Sequence, residues 1–205
     1  MMRIDQFTAQ PDRAGRYKTV FSDGSVLRLY KQTVQDFGIY AGMELNEEEY
    51  KSLKAAASEM SAKMRAVRIV SASSVSKRDL EQRLLQKGED ASCAKKAVAW
   101  MEDLQLLDDR KTAEQIVSRC ISKGYGVSRA KQALYEKRIP KEYWADVLED
   151  YPDQTEAIRQ YIADHLPEEP DQKAVKKVID ALLRKGHSYS SIRRVMGDVV
   201  EETYG

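Results

Sequence analysis

The chain has 205 residues, of which 33% are charged and 8% aromatic, and its formal net charge is only +1. That length supplies core for one or two domains, and the balance suits exposed helical modules better than a compact α/β enzyme. A near-neutral total excludes a blanket polyanion binder, so any basic surface has to come from local arrangement.

The first 45 residues read differently from the rest. Arg3 to Thr8 is strand-like, and the runs Gly15 to Phe21 and Ser25 to Tyr30 flank Ser22-Asp23-Gly24. An Asp-Gly between two β-rich runs predicts a hairpin. A small three-stranded region is therefore expected, with a short helix over Thr33 to Phe37. Such a sheet is marginal alone and needs a neighbour. Asn46 reads as an N-cap, with Glu47, Glu48 and Glu49 in a first turn that favours acids. Leu53, Ala56, Ala57, Met60, Met64, Val67 and Val70 then recur at threes and fours up to Ser71, one buried stripe. Residues 1–57 read as a β-containing extension with a lead-in helix.

From there the chain repeats itself three times: helix, stop, short gap, helix. Counted from Gly88, Arg138 and Gly186, which lie 50 and 48 residues apart, apolar residues recur at −8, −4, +6, +9 and +10. They are Leu80, Leu84, Ala94, Ala97 and Val98, then Ala130, Leu134, Trp144, Val147 and Leu148, then Val178, Leu182, Ile192, Val195 and Met196. Fixed-period self-similarity is the signature of a tandem array. Units of this size cannot each close a core, so they stack into an elongated surface. The fold class is mainly α, with three-helix repeats over 58–106, 107–150 and 151–205. These segments carry net charges of +2, +1 and −2.

Within the repeats, Ser71 to Ser76 is a cap-rich connector, with Ser76 and Asp79 approximating a capping box. Asp108 or Asp109 should cap the helix that carries Ala113, Ile116, Val117, Cys120 and Ile121. Pro140 and Pro152 both suit the first position of a following helix.

Candidate chemistry is sparse. Asp108-Asp109 has no histidine or third carboxylate at ligand spacing, and helix capping accounts for it. His165 and His187 fall near helix ends and read as solvent-exposed or C-terminal-turn residues. Cys93 and Cys120 fall at apolar positions with no CxxC, as expected of buried thiols in a reducing compartment. No metal site, cofactor or catalytic set is expected. No apolar run is long enough to span a bilayer and no signal core opens the chain, so a cytoplasmic protein is expected; a monomer is expected as well. The loop Lys123-Gly124-Tyr125-Gly126 has two readings, a helix stop and restart or a partner-facing loop.

The basic residues say more. Lys131, Tyr135 and Arg138 lie at i, i+4 and i+7, sharing one helix face while Val127, Ala130 and Leu134 share another. Lys87, Lys137 and Lys185 hold the same place in every repeat, and Lys95-Lys96 matches Arg193-Arg194. A solvated face explains such residues. The rival reading is a recurring electropositive track that meets phosphate or an acidic protein face.

At this point the residues resemble a known family. Ser76, Asp79, Leu80, Leu84 and Lys87-Gly88 are similar to a repeat start in the RecX regulatory proteins. So are Leu107-Asp108-Asp109-Arg110 with Ala113, and Lys123-Gly124-Tyr125-Gly126. Ala133 to Ile139 resembles the family's Leu-x-x-Lys-Gly-Ile signature, and Leu183-Arg184-Lys185-Gly186 its C-terminal repeat. The resemblance covers about residues 60–202. Arg138 stands where the family usually has Gly, Ser73-Ser74 where relatives are often basic, and Thr112 where an aromatic is common.

The resemblance implies a non-enzymatic modulator of the recombinase RecA, built from three tandem three-helix repeats. It implies binding in the groove of the RecA–DNA filament, with lower ATPase, strand-exchange and co-protease activity, in DNA repair, homologous recombination and the SOS response. The binding residues expected on this basis are Lys123, Tyr125, Lys131, Tyr135, Lys137 and Arg138, with Lys87, Lys95, Lys96, Lys185, Arg193 and Arg194 in the flanking repeats. The alternative is a sequence-independent DNA-binding protein that acts without RecA.

Overall fold

A computed structural model describes the backbone of residues 1–204 and the side chains of residues 1–197. It divides into two compact units, Met1–Leu107 and Asp108–Gly205.

The first unit opens with strands β1 (Met2–Phe7), β2 (Arg16–Phe21) and β3 (Val26–Tyr30), then helix α1 (Lys31–Asp36) and a two-residue strand β4 (Glu44–Leu45). The sheet is antiparallel, in the order β3-β2-β1-β4. The Asp23-Gly24 hairpin forms as expected, with Gly24 at φ +81° where a Cβ would be strained. The fourth strand was not legible because two residues carry no period. Ile4, Phe21, Leu29 and Leu45 turn inward onto Leu53 and Ala57 of helix α2 (Glu47–Ala72). That helix runs unbroken past residues 57 and 58. Its capping box is complete, since Asn46 Oδ1 accepts from the Glu49 amide (2.9 Å) and Glu49 accepts from the Asn46 amide (2.7 Å).

The C-terminal half of α2 builds a second core with α3 (Lys77–Gln86) and α4 (Ala91–Asp103), around Ala62, Ala66, Leu80, Leu84, Ala94 and Ala97. In the second unit α5 (Asp109–Ser122), α6 (Val127–Glu136) and α7 (Trp144–Glu149) enclose Ala113, Ile116, Val117 and Leu134. Helices α8 (Thr155–His165), α9 (Gln172–Arg184) and α10 (Tyr189–Tyr204) enclose Ile158, Ile162, Val178, Leu182, Ile192 and Val195. All fifteen periodic positions are buried or half-buried, as their spacing requires. Val127 is the misplaced apolar residue: at the first position of α6 it precedes the first full turn and is exposed.

The prolines correct the helix starts. Pro140 is extended (ψ 137°) and its carbonyl accepts from the Tyr143 amide (3.2 Å). That bond closes a 3₁₀ turn over Lys141–Tyr143, and α7 begins only at Trp144. Pro152 lies ahead of α8, whose first amide and hydroxyl, on Thr155, both bond Asp153 Oδ1 (3.0 and 2.7 Å). The aspartate, not the proline, sets that start.

Each repeat's middle helix ends in the same way. Gly88, Arg138 and Gly186 take φ of +83°, +54° and +88°. Their amides bond Leu85, Tyr135 and Leu183 carbonyls at 2.9 Å, and the following amides reach back to Leu84, Leu134 and Leu182. This is the Schellman arrangement, and it anchors the turn on a fully buried leucine. Arg138 therefore ends its helix as the glycines do, at the cost of a left-handed residue with a Cβ.

The loop Lys123 to Gly126 turns out to be a joint. The Gly126 amide donates to the Lys185 carbonyl (3.0 Å), His187 Nε2 meets the Gly124 carbonyl (3.0 Å), and the Tyr151 hydroxyl donates to the Tyr125 carbonyl (2.6 Å). A Cβ on Gly126 would lie 2.0 Å from the Gly186 carbonyl oxygen, and one on Gly186 would lie 2.3 Å from the Arg129 nitrogen. Backbone meets backbone there, so neither position has room for a side chain. His187, read from sequence as a solvent-exposed or C-terminal-turn residue, lies in the turn that ends α9 and is 6% exposed because it closes this joint.

The joint makes unequal demands on its glycines. Gly126 sits at φ −73°, which suits alanine, so only its contact with Gly186 excludes a Cβ. Gly126→Ala should cost at least about 3 kcal/mol by urea denaturation. Gly88→Ala meets nothing within 4 Å and should cost about 1–2 kcal/mol, from φ alone. The core register makes a parallel demand on α6. Leu134→Ala should cost about 2–5 kcal/mol, and Lys131→Ala on the exposed face under about 0.5 kcal/mol.

Burial, and then the nearby Lys185 charge, hold the His187 imidazole below its ordinary 6.5, against the favourable bond to Gly124. The unfolded chain then binds the proton more readily than the folded one. The joint's stability is complete above the unfolded value and is lost as pH falls through 6.5 toward the folded value. His187→Gln should show a shallower fall in melting temperature across that window than the parent chain.

Candidate partner-binding face

The twelve basic and aromatic candidates differ in exposure and in the partners they take, and most fall into three kinds. Three stand outward on α6 and the turn that ends it. Lys131 and Arg138 are exposed, and Tyr135 is 72% exposed, while Ala130 and Leu134 on the opposite side are fully buried. The i, i+4 spacing puts Lys131 and Tyr135 on one exposed face of α6, while Arg138 is exposed in the left-handed turn past the helix end and takes no face from its period. Lys123, the C-cap of α5, is exposed in the same unit. Arg129 on the same helix is paired with Glu136 (3.4 Å).

The second kind stays exposed but takes partners within the fold. Lys96 Nζ bonds Glu59 of α2 (3.0 Å), which also binds Lys63 (2.8 Å). Those two lysines, Lys63 foremost, hold the Glu59 carboxyl below its ordinary range, and Glu59 in turn raises Lys96. Eight residues past each stop, the same reach from third helix to first recurs. Asp146 of α7 lies 3.8 Å from Arg110 of α5, and Arg194 of α10 bonds Thr155 of α8 (3.3 Å). The neighbouring Lys95 and Arg193, seven past their stops, are exposed. In Lys95-Lys96 and Arg193-Arg194 all four cations are exposed, and the second of each pair also ties its helix to the first helix of the repeat.

The third kind closes the joint. Lys185 is half-buried with its ammonium 5.3 Å from the Tyr125 ring centre and 5.0 Å from that of Tyr161. His165 stacks on the other partner, its ring 4.0 Å from Tyr161. Tyr125 is accordingly half-buried under a lysine of the next helix group, and does not stand free. Lys137 is half-buried and Lys87 exposed, with the Lys87 carbonyl accepting from Arg65 (2.9 Å). The sequence could not separate these kinds, since a lysine reads alike whether its partner is solvent, a carboxylate or a ring.

The residues with catalytic potential are accounted for by the fold. Asp108 caps α5 by accepting from the Lys111 amide (3.0 Å), and Ser76 caps α3 by accepting from the Asp79 amide (3.1 Å). Cys120 is buried and Cys93 half-buried, and burial pushes both thiols up, away from the reactive thiolate. Burial also pushes the Tyr151 hydroxyl up to about 12, which keeps it a donor to Tyr125. Among the described residues no three His, Cys, Asp or Glu side chains gather as a metal site, and no helix is long and apolar enough to cross a membrane.

No family model matches the chain. It is 32% identical over 141 residues to a protein of Chlorobaculum tepidum named regulatory protein RecX, covering 67% of this chain and 87% of that one. It is 26% identical over 204 residues to the regulatory protein RecX of Clostridioides difficile, covering 97% and 94%. Among solved structures, a crystal structure of regulatory protein RecX superposes with a TM-score of 0.64 at 20% identity, over 96% of this chain and all of that one. RecX from Lactobacillus salivarius superposes at 0.57 with 21% identity, over 70% and 97%. These structures share the fold, and the curated relatives share the sequence along most of their length: the chain belongs to the RecX family of regulatory proteins.

Proposed function

We propose that this chain is a non-enzymatic regulator that binds RecA–DNA filaments and lowers RecA ATPase, strand-exchange and co-protease activity. Membership of a family of regulatory proteins supports the regulatory role, and the RecX resemblance implies RecA as its target. The observation that carries the site is the exposed face of α6 and the turn after it. Lys131, Tyr135 and Arg138 face outward while Leu134, between them, is fully buried. Two cations flanking an exposed aromatic ring can meet phosphate or carboxylate and stack at the same time. Lys123 is exposed at the end of α5, ahead of α6, and Lys95 and Arg193 are exposed cations of their own repeats. Lys96, Arg194 and Lys185 have partners within the fold and take a lesser part.

The direct test is RecA ATP turnover on single-stranded DNA with and without the protein. Inhibition at substoichiometric ratio is expected, and unchanged turnover would refute the reading. The face is tested by Lys123→Ala, Lys131→Ala and Arg138→Gly together, glycine being suited to the positive φ of Arg138. The triple variant should inhibit less and show a shallower salt dependence. Its melting temperature should hardly change, because exposed charges contribute little to folding. Salt also separates the alternative, a DNA-binding protein acting without RecA. That protein would bind bare DNA as tightly as RecA-coated strands and lose affinity steeply with salt.

A further inference from the structure

The N-terminal sheet has two edges of unequal kind. At β4 the edge is two residues long, too short to template another strand. At β3 it is five residues long, and a groove of about 470 Å³ runs beside it, lined by Val26, Leu27 and Arg28 and by Ala57, Ser58, Ser61 and Glu89, the Glu89 carboxylate being paired with Arg65 (2.8 Å).

The ladder shows what the β3 edge offers. The Lys18 amide donates to the Thr8 hydroxyl (2.9 Å) and its carbonyl accepts from the Thr8 amide (3.0 Å), so both groups face β1. Lys18 stands opposite Arg28. In an antiparallel pair, bonded and non-bonded positions alternate. Lys18 and Arg28 are thus a non-bonded pair, and the N–H and C=O of Arg28 point out of the sheet. Val26, two residues away, points the same way. These are main-chain donors and acceptors in the spacing of a strand ladder.

Helix α2 runs alongside this edge and is tied to β3 near both ends. Tyr50 Oη meets Ser25 Oγ at 3.1 Å, and Arg68 donates to the Tyr30 hydroxyl at 3.3 Å. Tyr50, Ala57, Ser61 and Arg68 fall on one face of the helix by its 3.6-residue period. The large residues hold the ends, and the small ones between them leave the gap open. Ser61 is kept in place by its bond to Glu89 (3.0 Å).

Charge chooses the occupant. Arg28 and Lys18 are like charges directly opposite each other on the outer face, an arrangement that costs stability and that an acid in the next strand would relieve. A second copy paired about a two-fold axis at Arg28 would set arginine against arginine. Nucleic acid would bring phosphates against outward carbonyls. We propose that the β3 edge and the α2 groove bind an extended peptide segment of a partner protein, paired in antiparallel register with Val26 and Arg28 and carrying a carboxylate opposite Arg28.

The test uses the full chain and a capped, fluorescein-labelled peptide, Ser-Val-Thr-Glu-Thr-Val-Ser, with a counterpart in which Lys replaces Glu. The acidic peptide should bind and protect the Val26 and Arg28 amides from hydrogen exchange. The Lys peptide should bind about tenfold more weakly, and Arg28→Glu should reverse that preference. Ser58→Leu, which fills the groove from its exposed side, should weaken both peptides without moving the melting temperature. Failure of both peptides to bind would overturn the proposal, leaving Arg28 as a guard against edge pairing. So would equal binding of both to the parent chain, protection of other amides, self-association through Val26 and Arg28, or stronger protection of them by a single-stranded oligonucleotide.

Discussion

The contact of Gly126 with Gly186 constrains the second unit more than any other. Two backbones approach until a methyl group on Gly126 would overlap the Gly186 carbonyl at 2.0 Å. That approach lets the Gly126 amide reach Lys185, brings His187 under Gly124, and sets Lys185 between the rings of Tyr125 and Tyr161. Each of these bonds is modest alone. Together they join the helices of one repeat to those of the next, and they consume residues that a reading of charge alone would offer to a partner. With the joint closed, the outward face of α6 and the turn after it are left as the exposed basic–aromatic surface of their repeat.

The same logic sorts the cations. At eight past each stop, a side chain ties the third helix to the first, and its identity is free to change: lysine to glutamate, aspartate to arginine, arginine to threonine hydroxyl. What recurs is the reach, and its chemistry varies. One residue earlier, Lys95 and Arg193 have no such task. Recurrence of a basic residue in a repeat is therefore weak grounds for a binding role until its partner is known, since surface ion pairs are cheap to make and to exchange.

The repeats were legible because their cores are local: each repeat closes its own cluster, where the sequence suggested that units of this size could not. Leu80 and Leu84, Ala130 and Leu134, Val178 and Leu182 bury themselves against their own neighbours, and that burial writes a period into the chain. The hairpin was legible for a similar reason, since Asp23-Gly24 demands a turn wherever it falls. The joint was not. Lys123 to Gly126 reads as a stop and restart in isolation, and its meaning comes from residues some sixty positions later. His187 was placed at a helix end by the sequence, but its burial was not legible because Gly124 lies far from it in the chain. The exposure of Lys131 and Tyr135 was readable from helix geometry, whereas Arg138 lies past the helix end, and the contacts of Lys96 and Lys185 depended on Glu59 and on two rings whose positions no spacing reveals.

The three Schellman turns share their backbone, yet the residue after each is used differently. Glu89 turns inward to Arg65 (2.8 Å) and Ser61, Ile139 enters the core of its repeat, and His187 closes the joint. The seat at Gly126 is likewise unique. Its counterparts by the repeat spacing are Ser76 and Ala174, each with a Cβ, and α9 extends to 13 residues where α6 has 10, so that Ala174 lies inside the helix. A backbone approach as close as that of Gly186 has nowhere to form at either position. Periodicity thus reports the part of each repeat that folds for itself. The contacts that make one repeat different from the next, and with them the surfaces left for a partner, lie in the residues that break the period.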